Sequence, residues 1–277
     1  MPVFDTPHPI DLAINVQVGA VDVVASDRTD TVVTVAATNP EKDRDRRGAD
    51  ETRIEFDGGR LTVIGPKHLA ILGPSESIDV RVELPTDSRL AIEIYGAVNG
   101  RGRLGATRIK ASTVRLEHTR DLWARAMHGN TVVGTVDGSA EITADHGQIK
   151  LGAVSGDAVL KASHGAVEIA ESGGDVDARL SYGDLGIARA RGSVAAKTAY
   201  GSVQIDDVST GSIELDTGYG QVEVGVREGV AAWLDLASKQ GRVRNELAGD
   251  RAPEPSQPTV SVRARTAYGD IAIRRVG

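Results

Sequence analysis

The sequence predicts an all-β chain folded as a single parallel β-solenoid, a β-helix with about 18 residues per coil. Three observations carry this. A histidine or tyrosine followed by glycine recurs at His128-Gly129, His146-Gly147, His164-Gly165, Tyr182-Gly183 and Tyr200-Gly201, 18 residues apart each time. A second glycine row keeps step at Gly138, Gly156, Gly174, Gly192, Gly211 and Gly229. Between the rows, apolar and polar residues alternate with the period of two that belongs to strands.

Residues 1–84 have the strand grammar without the period, and are expected to form an irregular β-rich N-terminal cap. Strands are predicted at Ile10–Val18, Ala20–Ala25, Thr31–Ala37, Thr52–Phe56, Arg60–Ile64 and Ile78–Leu84, with Gly58-Gly59 as a hairpin turn. The mixed-charge run Pro40–Glu51 and the stretch Gly65–Ser77 read as loops. Such a cap covers the first coil, because a bare strand edge invites aggregation.

The solenoid is expected over residues 85–277. Leu90, Ile92 and Ile94 alternate into the corner Tyr95-Gly96, and Thr113–Ala126 forms an irregular early coil. The regular coils then repeat a longer strand with three inward slots, such as Ala158, Leu160 and Ala162, and a shorter one with two, such as Val167 and Ile169. A further apolar slot holds Val136, Val154, Ala190, Val208 and Val226, with Ser172 as the exception. Glycine suits the corners because a sharp turn often needs positive φ. The Ser, Asp, Asn or Gln that usually follows it can satisfy turn amides. Parallel crossovers favour a right-handed path. Glu228–Lys239 is the one segment that also suits a helix, but its neighbours favour a longer strand. Residues 249–258 are a Pro-rich excursion, after which VRARTAYGDIAI repeats the earlier VAAKTAYGSVQI.

Composition narrows the function. Only 2 Trp, 5 Tyr and 2 Phe occur in 277 residues, so the core must be thin and built from Val, Ile, Leu, Ala and Thr. A net charge of -7 disfavours nucleic acid and anionic membranes as partners. The lack of cysteine excludes disulfides, thiolate metal sites and cysteine nucleophiles. No targeting segment or membrane span is legible, which points to the cytoplasm. Neither a phosphate-binding loop nor a Gly-x-Ser-x-Gly elbow is present.

Two columns of side chains stand out. Arg125, Lys161, Arg179 and Lys197 fall on one outward column, interrupted by Thr143 and followed by Asp216; they form a candidate interaction stripe for an acidic polymer. A solvated, charge-bearing face is the competing reading. His128, His146 and His164 share a corner column with Tyr182, Tyr200, Tyr219 and Tyr268. Three imidazoles in register suggest a metal site, but tyrosine is a poor zinc ligand. The column therefore reads as a structural ladder of flat amphipathic rings. Trp123 and Trp233 are expected to pack beneath caps near the ends of the coils.

The repeated [HY]-G-x-[VIL]-x-[VIL] units, the VxVxLP step at Val80–Pro85 and the closing EGVAAWLDLASKQGRVRNEL…RTAYGDIAIRR resemble a bacterial "putative adhesin" β-strand-repeat family of the actinobacterial type. The resemblance spans nearly the whole chain and implies a β-helical shape with no catalytic residues to carry over. The expected function is a non-enzymatic scaffold or protein-interaction module without cofactor. It would be a monomer if both ends are capped, with a protein as partner. The alternatives are an adhesin or glycan-binding protein, if exported, and a subunit of a cytoplasmic polymer.

Overall fold

The structure, a computed structural model, describes residues 1–66, 76–247 and 258–277. All of the Pro-rich stretch 249–258 except Pro258 lies outside the described residues, as does most of the stretch Gly65–Ser77. The protein is an all-β parallel solenoid whose chain divides into two compact units, Met1–Asp137 and Gly138–Gly277. No helix among the described residues is long and apolar enough to cross a membrane.

The first unit opens with β1 (Val3–Asp5), the long β2 (Asp11–Ser26) and β3 (Asp30–Ala37). After them come helix α1 (Asp43–Glu51), β4 (Arg53–Asp57), β5 (Arg60–Ile64) and β6 (Ser77–Pro85). The unit closes with β7 (Arg89–Leu104), β8 (Thr107–Ala111), β9 (Thr113–Thr119), β10 (Leu122–Ala126) and β11 (Thr131–Val136). Parallel pairing begins at Asp11, within the segment read from sequence as a cap. β2 runs through both faces of a coil: its first half lies between β5 and β7, its second between β6 and β7. The coil made of β5 and β6 thus lies outside β2 although it follows β2 in sequence. Antiparallel strands finish this end, β4 on β5 and β3 then β1 on β6.

Helix α1 corrects the expectation of a loop over Pro40–Glu51. The run has no apolar periodicity to announce it. Its acidic first turn, Asp43 and Asp45, suits the positive end of the helix dipole. Asp45 is buried and accepts a bond from the Ser77 backbone N–H at 3.2 Å, which ties the helix to β6. Nearby, Arg28, in the turn between β2 and β3, bonds Asp30 of β3 (2.8 Å) and Glu83 of β6 (2.7 Å). Those bonds hold both carboxyls below the usual carboxylate range, with Arg81 helping at Glu83.

The second unit is more regular. Its longer strands are β12 (Ala140–His146), β14 (Ala158–His164), β16 (Val176–Tyr182), β18 (Val194–Tyr200) and β20 (Gly211–Tyr219). The shorter strands between and after them are β13 (Ile149–Val154), β15 (Val167–Ser172), β17 (Leu185–Ala190), β19 (Val203–Val208) and β21 (Val222–Arg227). Then come β22 (Ala231–Gln240), β23 (Val243–Asn245), β24 (Thr259–Tyr268) and β25 (Ile271–Val276). Successive long strands pair in parallel with the 18-residue step intact, as in Ala140↔Ala158↔Val176↔Val194. Of Glu228–Lys239, ambiguous in sequence, the part from Ala231 onward is strand, after a turn at Glu228-Gly229. The final coil departs from sequence order: β24 lies between β20 and β22, and β25 between β21 and β23.

The inward slots seal a thin aliphatic core, in which Ile142, Ile149, Leu151, Leu160 and Ile169 are fully buried. Corner side chains work between coils rather than within one turn. Asp157 accepts from the Asp175 N–H, Asp175 from Ser193, and Asp184 from Ser202, at 2.7–3.0 Å. Buried Thr217 and Thr266 donate to the carbonyls of Gly201 and Gly220, the corner glycines one coil back.

Ser172 sits at zero exposure in the column of Val154 and Ala190, and its hydroxyl has no partner among the described residues. Replacing it with alanine removes a polar group that water would otherwise hydrate in the unfolded chain. Ser172→Ala should raise stability by about 1 kcal/mol, read as a higher urea midpoint at unchanged slope. A lower midpoint would mean that the hydroxyl is satisfied.

Candidate functional site

The outward face of the second unit's longer strands, with the corner that borders it, brings most of the sequence candidates together. Strand pleat puts alternate residues outside, and parallel register then lines them up along the coils. Lys161, Arg179 and Lys197 stand in register, followed by Asp216 and Arg265. Arg125 belongs to the first unit, where it lies opposite Lys110.

This column is not an uncompensated stripe. Arg179 bonds Asp177 at 3.0 Å, and Lys197 lies 3.8 Å from Asp216. Arg265 holds Asp235 through two bonds, at 2.6 and 2.9 Å, and Arg263 approaches the same carboxylate at 3.7 Å. Around Ala195, whose side chain is too short to fill its slot, lies a shallow trough of about 320 Å³ walled by Asp177, Arg179, Lys197 and Glu214. The arginines at 263 and 265 were missed as members of this face, although the repeat of VAAKTAYG as VRARTAYG puts them in the columns of Ala195 and Lys197.

The corner column is a stack of rings. His146, His164, Tyr182, Tyr200, Tyr219 and Tyr268 follow one another at centroid spacings of 4.6–5.1 Å, with planes within 7° of parallel. The coil repeat sets the spacing, because one backbone ladder separates each ring from the next. The tyrosines remain 44–50% exposed. Their faces meet one another and their edges meet solvent. In the first unit His128 meets Tyr95 edge-on, at 6.2 Å and 72°. No group of three or more His, Asp or Glu with metal-binding geometry occurs among the described residues.

The tryptophans depart from expectation. Trp123 is covered by the guanidinium of Arg108, 3.8 Å above its ring. Trp233 is 67% exposed on β22 instead of lying beneath a cap. It occupies an outward slot, so the pleat turns it to solvent.

Among the solved structures to which the chain is similar are three at low identity. A "putative adhesin" from Bacteroides fragilis is 13% identical, covers 98% of this chain and 95% of that one, and has a TM-score of 0.40. A "putative adhesin" from Parabacteroides distasonis is 15% identical, covers 98% and 95%, and scores 0.30. A "putative lipid binding protein" from the same organism is 12% identical, covers 100% and 96%, and scores 0.31. With scores this low, nothing about function follows from the three likenesses. A search of curated proteins found no match. The sequence itself is matched over residues 11–275 by the Toastrack DUF4097 family model, and the chain belongs to that family.

Proposed function

We propose that the protein is a non-enzymatic interaction module, and that its partner, a protein, docks against the aromatic corner of the second unit. One observation carries this: four tyrosines, Tyr182, Tyr200, Tyr219 and Tyr268, stand half-exposed in a continuous stack. Tyrosine is enriched at protein interfaces, where it offers a large amphipathic contact with few rotatable bonds. Here stacking has already fixed those bonds, so a partner would meet a preorganised surface and lose little rotamer entropy on docking. The neighbouring column of Lys161, Arg179 and Lys197 favours an acidic partner surface. Because Asp177 and Asp216 compensate part of it, its role is orientation and encounter more than affinity.

The test compares the wild type with Tyr182→Ser/Tyr200→Ser/Tyr219→Ser and with the matching triple Phe variant, by quantitative cross-linking pull-down from native lysate. The Ser triple should lose at least about tenfold in capture, about 1.4 kcal/mol, while keeping its far-UV spectrum. The Phe triple, which retains the ring stack, should keep most of it. Equal capture by all three proteins would overturn the proposal.

A further inference from the structure

We propose that the outer edge of β22 pairs antiparallel with the same edge of a second copy of the chain, giving a closed two-fold dimer. Among the described residues, nothing covers the core of the second unit at this edge. Leu234 and Leu236 occupy the inward slots of Val262 and Ala264, which are fully buried, yet both are only half-buried. Val243, in the slot of the buried Ile271, is 46% exposed. The backbone is open as well. The Ala231 N–H bonds the carbonyl of Pro258 at 2.9 Å, so odd-numbered residues of β22 bond towards β24. Ala232, Leu234, Leu236 and Ser238 then turn their N–H and C=O groups to the outer edge. No strand among the described residues pairs with them there.

The first unit shows how this chain finishes such an edge. An outermost parallel strand of that unit, β5, is covered antiparallel by β4. A two-fold axis brings a second β22 into that same antiparallel relation.

Side-chain parity and charge choose the register. Inward slots must face inward slots, which excludes every odd offset. Centred on Asp235, the pairing would oppose two carboxylates; centred on Leu236, it would leave Asp235 facing Ala237. Centred on Ala237, it sets Asp235 against Lys239 of the second copy, twice by symmetry. That pair falls at a non-hydrogen-bonded position, where opposed side chains are closest. Leu236 then faces Ser238 in the hydrogen-bonded positions between. Asp235 already accepts from Arg265, and a carboxylate has lone pairs for a further donor. An isologous contact of this kind occupies the edge on both copies and stops at two.

The register gives a sharp test, because the chain has no native cysteine. Ala237→Cys places two thiols across the axis, about 4.5 Å apart at Cα, within disulfide reach. The full-length variant should form a covalent dimer under mild oxidation, whereas Trp233→Cys should not. By sedimentation velocity the wild type should show a concentration-dependent monomer–dimer equilibrium. Lys239→Asp and Asp235→Lys should each weaken it at least tenfold, and mixing the two variants should restore it by opposing unlike charges again. Three results would overturn the proposal: a wild type that stays monomeric throughout, as when its own segment or another partner covers the edge; open-ended oligomers; or a dimer indifferent to both charge changes. The dimer uses residues apart from the tyrosine stack, so failure of one proposal leaves the other standing.

Discussion

Replacing Leu160 with aspartate should cost the second unit a large part of its stability. Leu160 is fully buried in the middle of an inward column, between Ile142 and Ala178, in a thin core of aliphatic side chains. A carboxylate there has no donor to pair with, and a protonated carboxyl still lacks partners for its polar atoms. The cost should be at least about 4 kcal/mol, against a total stability of about 5–15 kcal/mol for a typical domain. Because each coil is the template for the next, the damage spreads along the stack. Leu160→Ala makes the graded control, with an expected loss of about 2–5 kcal/mol. Urea unfolding of both variants measures the difference. A loss below about 1 kcal/mol for the aspartate, no more than an ordinary substitution costs, would show that the slot is not inward.

Gly183→Ala is the second change with a large expected effect. The backbone there has φ of +147°, and a Cβ would stand 2.1 Å from the carbonyl oxygen of Gly165 in the coil beneath. The obstacle is backbone already committed to the ladder, so it has nowhere to go. Strain of about 1–3 kcal/mol from the dihedral alone combines with the clash, and the loss should reach about 3 kcal/mol or more. Gly186, three residues on, is the matched control. A Cβ at that outward slot meets nothing within 4 Å, and Gly186→Ala should change stability by less than about 0.5 kcal/mol. Similar losses in the two variants would remove the corner from the account of why glycine recurs every 18 residues.

What the sequence made legible follows from periodicity. The inward slots from Ala140 to Val226 could be read because each is repeated in neighbouring coils, and a repeated pattern averages out local exceptions such as Ser172. The strands before Pro85 were legible one by one, since alternation is a local property. Their partners were not. Nothing in Asp11–Ser26 says that it pairs with Arg89–Arg101 on one side and with Arg60–Ile64 and Ser77–Pro85 on the other, because pairing is decided by distant segments. The same limit hid the position of β24: the resemblance of VRARTAYG to VAAKTAYG reveals the type of strand and leaves its neighbours open. Helix α1 escaped because its stability comes from contact with β3 and β6 and from Asp45 on Ser77, not from an apolar stripe of its own. In the candidate site, the columns were visible as residue types. The pair of Arg179 with Asp177, two residues apart on one outward face, follows from alternation, whereas the pair of Arg265 with Asp235 became visible only when β22 was laid beside β24.

The interleaved coils have a mechanical consequence. In a plain solenoid the last coil is held by one ladder on each face, so a force on the end strand unzips it bond by bond like a strip of tape. In the second unit β24 is gripped by β20 and β22 together, and β25 by β21 and β23. To withdraw that coil, a load must break two ladders on each face at once. In the first unit β2 is held in the same way, between β5 and β6 on one side and β7 on the other. In each unit, then, one coil is doubly clamped, through β2 in the first and through β24 and β25 in the second, and peeling it away is opposed from both sides.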